Sequence, residues 1–188
     1  IQHLTLGQQM QVGDGNHPVA GGFEANLSAK ERLEKLGFTV SFSEHYLEND
    51  MLDSASIESR VADIHAAFAD ESVDAILATI GGFNCNELLP YLDFELIARN
   101  PKIFCGYSDT TALLSAIYSK TGMKTYMGPS YSSFKMDALQ DYQTESWLKA
   151  VSQTSYELTP SEKWGDNAWY LPDAPLTFHE TEWKIYHH

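Results

Sequence analysis

The sequence predicts an open α/β fold, a mainly parallel sheet with helices on both faces. Three observations lead there. Short apolar runs alternate with amphipathic stretches from the start of the chain to residue 152. The run Asp74 to Ile80 is apolar at successive positions, as in a strand covered on both sides. Glycines follow two of the helical stretches, at Gly37 and Gly122, where a helix needs a left-handed residue to stop.

Taken in order, Leu4 to Val12 alternates loosely and reads as a first strand. Gly13-Asp14-Gly15-Asn16-His17-Pro18 and Gly21-Gly22 are turn chemistry. Their spacing fits neither a dinucleotide nor a Walker phosphate loop. Leu27 to Leu36 is an amphipathic helix, and Thr39 to Phe42 a second strand. Tyr46 to Ser54 is an acidic loop. Ser56 to Ala69 carries Ile57, Val61, Ile64 and Phe68 at helical spacing. His65 beside that stripe reads as a packing or surface histidine. Asp74 to Ile80 is the third strand. It ends in Gly81-Gly82-Phe83-Asn84-Cys85-Asn86, where Asn84 or Asn86 is placed to cap a short helix. Phe94 to Asn100 is another short helix.

Lys102 to Cys105 is the fourth strand and Thr110 to Thr121 the helix after it. Lys124 to Met127 is a fifth strand and Asp141 to Ser152 a last helix. The order implies βαβ units of Rossmann/flavodoxin type, whose ligands bind at the carboxyl edge of the sheet. Residues 1–152 are expected to form this α/β domain. Residues 153–188 hold Pro160, Pro172, Pro175, Trp164, Trp169 and Trp183 without a period. They read as an irregular segment leading towards a further domain. The tryptophans there read as core or domain-interface residues.

Composition narrows the function classes. The 188 residues suffice for a domain with a proper core, and a hydrophobic share of 43% excludes a disordered chain. The net charge of -14 argues against nucleic acid and anionic membranes as partners, since both need a basic footprint. No apolar run reaches the length of a membrane span. Cys85 and Cys105 have no metal-ligand spacing and read as small hydrophobes. Two cysteines without a disulfide framework fit a reducing compartment, so a cytoplasmic location is expected. No metal site is expected. Ile1 in place of Met suggests a processed or trimmed start, and His187-His188 are either native or a tag remnant.

The chemistry concentrates in Gly106-Tyr107-Ser108-Asp109. A serine on a sharp strand-to-helix turn has its hydroxyl lifted off the sheet edge. The helix N-terminus behind it offers free N–H groups and the positive end of a dipole. This is a nucleophile elbow in outline, although the pattern Gly-x-Ser-Asp lacks the second glycine of the full motif. The alternative is that Ser108 caps the helix. Asp109 reads as a carboxylate favoured by the helix dipole, with a side chain also able to fix the elbow. Tyr107 and Tyr126 read as packing residues.

The block from Thr79 to Pro129 resembles the LD-carboxypeptidase family of serine peptidases, and within it the branch of microcin C immunity peptidases. The matching residues run in fixed order. They are Ile80-Gly81-Gly82-Phe83-Asn84-Cys85-Asn86, Leu88-Leu89-Pro90-Tyr91-Leu92-Asp93, Asn100-Pro101-Lys102, Gly106-Tyr107-Ser108-Asp109, Thr111-Ala112-Leu113, Thr121-Gly122 and Gly128-Pro129. The resemblance implies that Ser108 is the catalytic serine and that the backbone N–H groups of Gly82 and Asp109 form the oxyanion hole. Asn84 is then a candidate for orienting substrate. The resemblance further implies hydrolysis of an amide bond without cofactor. The substrates would be small: murein-type peptides or peptidyl- and aminoacyl-nucleotide antibiotics. A homodimer is implied too.

The family completes a Ser-Glu-His triad from a C-terminal domain. Here His179, His187, His188, Glu180 and Glu182 match none of its positions. Gly13-Asp14-Gly15-Asn16 also differs from the family's Ala-Pro-Ser-type loop. This chain alone is therefore expected to be a poor catalyst or none. The alternative is a silent α/β binding module that keeps the crevice without the triad.

Overall fold

A computed structural model describes residues 3–6, 23–48, 54–168, 175–182, 184 and 186. Five strands form one sheet: β1 (His3–Leu6), β2 (Thr39–Phe42), β3 (Ala75–Leu77), β4 (Ile103–Gly106) and β5 (Tyr126–Met127). Their spatial order is β2-β1-β3-β4-β5 and every pair is parallel. This is the flavodoxin-like order, with its switch point between β1 and β3. The helices are α1 (Phe23–Lys35), α2 (Ile57–Ala69), α3 (Phe94–Arg99) and α4 (Thr111–Thr121). The glycine loop at residues 13–22 and the end of the expected first strand, 7–12, lie outside the described residues.

Local chemistry sets the element ends. Ser56 caps α2 by accepting from the Ser59 amide at 3.1 Å. The Glu48 carboxylate accepts from the Ser56 amide at 3.1 Å and the Ser59 hydroxyl at 2.6 Å, and these bonds hold its pKa below the ordinary carboxylate value. Glu48 is thereby docked on a helix N-terminus, where a carboxylate is favoured. Asp93 caps α3 through the Leu96 amide at 2.8 Å. Gly122 ends α4 at φ +72°, a conformation glycine adopts without strain. His65 accepts from the Asp93 amide at 2.9 Å and so ties α2 to the start of α3, a packing role.

Ile76 and Phe104 are register partners on β3 and β4 and point to one face. They share a buried cluster with Ile64 and Phe68 of α2, Ile97 of α3, and Leu113 and Ile117 of α4. Phe68 meets Phe104 edge-on at 6.0 Å. Leu77 and Cys105, one residue further along, are buried on the opposite face. Helix α1 buries Ala29 and Leu33 outside that cluster and packs on the 3-10 turn Tyr131–Lys135, where Arg32 donates to the Phe134 carbonyl at 2.7 Å.

His45, after β2, places Nδ1 2.7 Å from Oδ1 of Asp63, which is buried on α2. The hydrogen bond to Asp63 raises the histidine pKa above its usual 6.5 despite some desolvation, and the charges of Asp63, Glu44 and Glu48 add to it. The stability this pair contributes is full below the unfolded value. It is lost as pH rises through the raised folded value. Urea midpoints measured between about pH 6 and about pH 9 should fall more steeply in the wild type than in Asp63→Asn.

The structure shortens two expected strands. Only Ala75–Leu77 of the run Asp74 to Ile80 is strand. Beyond it the carbonyls of Ala78 and Thr79 accept from the Tyr131 and Ser132 amides at 2.8 and 2.9 Å, so the segment after Pro129 crosses there in place of a strand. The fifth strand begins at Tyr126, not Lys124.

The chain divides into two compact units, Ile1–Lys135 and Met136–His188. The second contains α5 (Gln140–Ser152) and a short antiparallel ladder of β6 (Lys163–Trp164) with β7 (His179–Glu180). Strands of two residues each are too short to leave a period in the sequence, so that ladder was not expected. Trp164 is half exposed and lies over His179 at 4.9 Å, so it is no core residue of this unit. Trp169 and Trp183 lie outside the described residues. Among the described residues no helix is long and apolar enough to cross a membrane.

Candidate functional site: the turn after the fourth strand

β3 and β4 are neighbours and parallel, so the segments leaving their carboxyl ends run side by side. Their contact is very close. A Cβ added to Gly81 would lie 2.8 Å from the Cβ of Ser108, 3.0 Å from its Oγ and 3.5 Å from the Asp109 nitrogen. Only glycine fits there. Gly106 is constrained alike, since its Cβ would lie 2.8 Å from that of Ala78 and 2.9 Å from Cγ2 of Thr110. The two glycines let the β3 loop and the β4 turn approach closely, the backbone of each against side chains of the other.

Ser108 adopts φ +59°, in the left-handed region that non-glycine residues avoid. Such a residue costs of order 1 kcal/mol and persists where its surroundings enforce it. It opens a 3-10 turn, Ser108–Thr110, that runs into α4. Neither turn nor helix carries a side-chain cap. The capping alternative for Ser108 therefore has no hydrogen bond behind it. The residue is exposed. Its strain places a hydroxyl at the sheet edge, beside the Gly81-Gly82 backbone.

Two clamps hold the segment 81–87. On one side the Asp109 carboxylate accepts from the Cys85 amide at 2.9 Å. On the other, Arg60 of α2 is 1% exposed. It donates to the Asn84 carbonyl at 3.3 Å and to the Asn84 side-chain oxygen at 3.0 Å, and its second nitrogen pairs with Glu87 at 3.1 Å. Asn84 thus caps nothing with its side chain, contrary to expectation, because Arg60 takes that oxygen. Among the described residues the Gly82 N–H has no hydrogen-bond partner. Three buried polar atoms near these segments also lack one: Nε of Arg60 and the hydroxyls of Thr79 and Thr110.

The structure brings Ser108, Asp109 and the Gly81-Gly82 backbone together and draws Asn84 towards Arg60. One signal in the sequence singles out Arg60. It lies three residues after Ile57 and four before Ile64, on the apolar stripe of α2, where a charge needs a partner. Tyr107 does not pack as expected. It is 44% exposed, and with Phe83 at 87% and Met127 at 76% it gives the carboxyl edge an apolar rim. His179 and Glu180 are engaged within the second unit, by Trp164 and by Lys163 at 3.7 Å.

Cys85 and Cys105 are free thiols and fully buried, as the sequence implied. Burial, and then the neighbouring Asp109 carboxylate, push the Cys85 thiol far above its ordinary pKa. Iodoacetamide at about pH 8 should label neither cysteine in the native chain and both in denaturant, as expected where little thiolate forms. Mass spectrometry of the labelled chain reads this directly.

Residues 17–128 match the LD-carboxypeptidase N-terminal domain. A putative carboxypeptidase, YocD, from Bacillus subtilis (strain 168) is 52% identical over 157 residues, 83% of this chain and 48% of that protein. The microcin C7 self-immunity protein MccF from Escherichia coli is 35% identical over 178 residues, 88% of this chain and 52% of its own length. The crystal structure of an MccF-like protein from Bacillus anthracis str. Ames superimposes with a TM-score of 0.89 at 43% identity. That match covers 96% of this chain and 54% of the other. The chain spans about half the length of the curated relatives it matches. With a matching domain, relatives of this identity and the same arrangement of strands, the chain belongs to the LD-carboxypeptidase family.

Proposed function

We propose that this chain is the nucleophile-bearing half of a serine-type peptidase. Ser108 attacks the carbonyl carbon of an amide, and the N–H groups of Gly82 and Asp109 receive the oxyanion. The observation that carries this reading is the strained Ser108 turn, at φ +59°, pressed against the Gly81 backbone. A hydroxyl is held outward at a cost in stability that no capping bond returns. Attack forms a tetrahedral intermediate whose negative oxygen the two fixed N–H groups can stabilise without reorganising. Collapse expels the amine and leaves an acyl-serine, which water hydrolyses.

A serine hydroxyl needs a base to lose its proton and an acid to protonate the departing amine. In this reading a glutamate-histidine pair supplies both, from that part of the family's length which the chain does not span. The substrate is a small amide, either a murein-type peptide or an aminoacyl-nucleotide. Solved MccF structures in complex with glutamyl sulfamoyl guanosine and aspartyl sulfamoyl adenosine support the second class. The apolar rim of Phe83, Tyr107 and Met127 offers a surface for a planar base or an apolar side chain.

The test incubates the 188-residue chain, and the protein in the longest form its source expresses, with an aminoacyl sulfamoyl adenosine and an LD-linked murein tetrapeptide. Released amino acid is measured by mass spectrometry. The long form should turn over one of them, and this chain neither. Turnover by the chain alone would overturn the need for an outside base. Turnover by the long form that survives Ser108→Ala would overturn the nucleophile assignment.

A further inference from the structure

Ser108 keeps its left-handed conformation without a capping bond to reward it, so the enforcement comes from its neighbours. The contacts around it single out the next residue. The β3 loop closes on two successive residues of the turn. Gly81 abuts Ser108, and the Cys85 amide donates to the Asp109 carboxylate at 2.9 Å. Gly82 lies between these two fixed points. On the helix side, the Thr111 N–H returns to the Ser108 and Asp109 carbonyls. Among the described residues no lysine or arginine pairs with Asp109, so the loop and not an ion pair engages its carboxylate. Burial, and then the Asp109 carboxylate, keep the Cys85 thiol protonated, which adds a weaker donor beside the amide. The φ angle of Ser108 sets the direction of Asp109 relative to β4. The strained turn and the Asp109–Cys85 bond are therefore made together. A hydrogen bond to a carboxylate is large enough to offset one left-handed residue.

We propose that Asp109 is a positioning residue whose carboxylate latches the Ser108 turn to the Cys85 amide. The latch enforces the left-handed φ at Ser108 and keeps the N–H groups of Gly82 and Asp109 in one frame. Its consequence for turnover rests on the peptidase reading above, whereas its consequence for the backbone does not. The rival account of Asp109 is a charge favoured by the dipole at the start of α4. The two accounts differ in what they require. A latch needs an acceptor at one place and no charge, so asparagine serves and glutamate, longer by one methylene, does not. A dipole needs a charge and tolerates either length.

The first test uses thermal melts of the 188-residue chain. Ser108→Gly should hold or raise the midpoint in the wild-type and Asp109→Asn backgrounds, and lower it in Asp109→Ala and Asp109→Glu. In the last two the turn has already relaxed, and glycine brings only its freedom in the unfolded chain. The shifts in the two groups should differ by about 2–4 °C, one residue's strain at this size. The same shift in all four backgrounds would overturn the latch, and so would a grouping of Asp109→Glu with the wild type. Asp109→Glu and Asp109→Asn decide the point by themselves where Asp109→Ala does not fold. The second test measures kcat and KM of the long form. Asp109→Ala and Asp109→Glu should lose about 10²-fold in kcat with KM nearly unchanged, and Asp109→Asn should recover at least about tenfold of that. If Ser108→Ala keeps turnover, the peptidase reading fails and the latch is judged on the melts. If Ser108→Ala abolishes turnover while Asp109→Ala keeps kcat, the positioning role alone is overturned.

Discussion

Replacing Ser108 by glycine should abolish turnover in the long form while making the fold no less stable, and up to about 1 kcal/mol more stable. The two effects have separate origins. Turnover is lost because the attacking oxygen is gone, and removal of a catalytic serine costs at least ~10³-fold. Stability is kept or gained because glycine adopts φ +59° without the clash that serine's Cβ brings. Part of that relief is offset by the greater freedom of glycine in the unfolded chain. Ser108→Ala is the control. It removes the same oxygen but keeps the Cβ and hence the strain, so turnover falls alike without a stability gain. If Ser108 were a cap, both variants would lose stability, the alanine by about 1 kcal/mol. Thermal melts of the 188-residue chain discriminate, since 1 kcal/mol is worth about 2–4 °C at this size. A lower midpoint for Ser108→Gly than for the wild type would sink the strained-elbow reading.

That strain marks the limit of what the sequence disclosed. The strand-helix alternation, the Ser56 cap, the stop at Gly122 and the turn at Ser108 all follow from residues near one another in the chain. Such features have a period or a punctuation mark that can be read directly. The partners that give the site its shape are distant. Asp109 reaches Cys85 across 24 residues, and Arg60 reaches Asn84 across 24 and Glu87 across 27. Local pattern carries no record of such pairings. Gly81 and Gly82 look alike in sequence, yet only the folded chain shows Gly81 pressed against Ser108. The His45–Asp63 pair, 18 residues apart, was hidden for the same reason. The third strand came out short because its carbonyls were claimed from residues 131 and 132, which no strand propensity could anticipate. Family resemblance drew attention to Gly82 and Asp109, whereas Arg60 emerged from the packing.

Arg60→Met should lower stability by about 2 kcal/mol and turnover of the long form by about 10²-fold, mainly in kcat. Methionine keeps most of the buried stem volume and removes the guanidinium. Lost are charge-assisted hydrogen bonds to Asn84 and Glu87, each worth about 1.5–3 kcal/mol when made to a charged group. Two factors reduce the net cost. A buried guanidinium carries a desolvation penalty that methionine escapes. Glu87 is 43% exposed in its side chain, so water can solvate it once Arg60 is gone. The effect on rate comes through the loop. With Arg60 absent, the backbone on either side of Gly82 loses one of its clamps and keeps the Asp109–Cys85 bond and the Gly81 contact. An oxyanion donor that drifts by an ångström acts on the transition state and leaves ground-state binding nearly unchanged. Arg60→Lys keeps the charge but cannot span Asn84 and Glu87 with one planar fork, so it should fall between wild type and Arg60→Met. Hydrogen exchange adds a readout in this chain alone, where amides 82–86 should exchange faster in Arg60→Met. A variant that loses stability yet keeps kcat and the wild-type exchange pattern would make Arg60 a residue of the core with no part in positioning the loop.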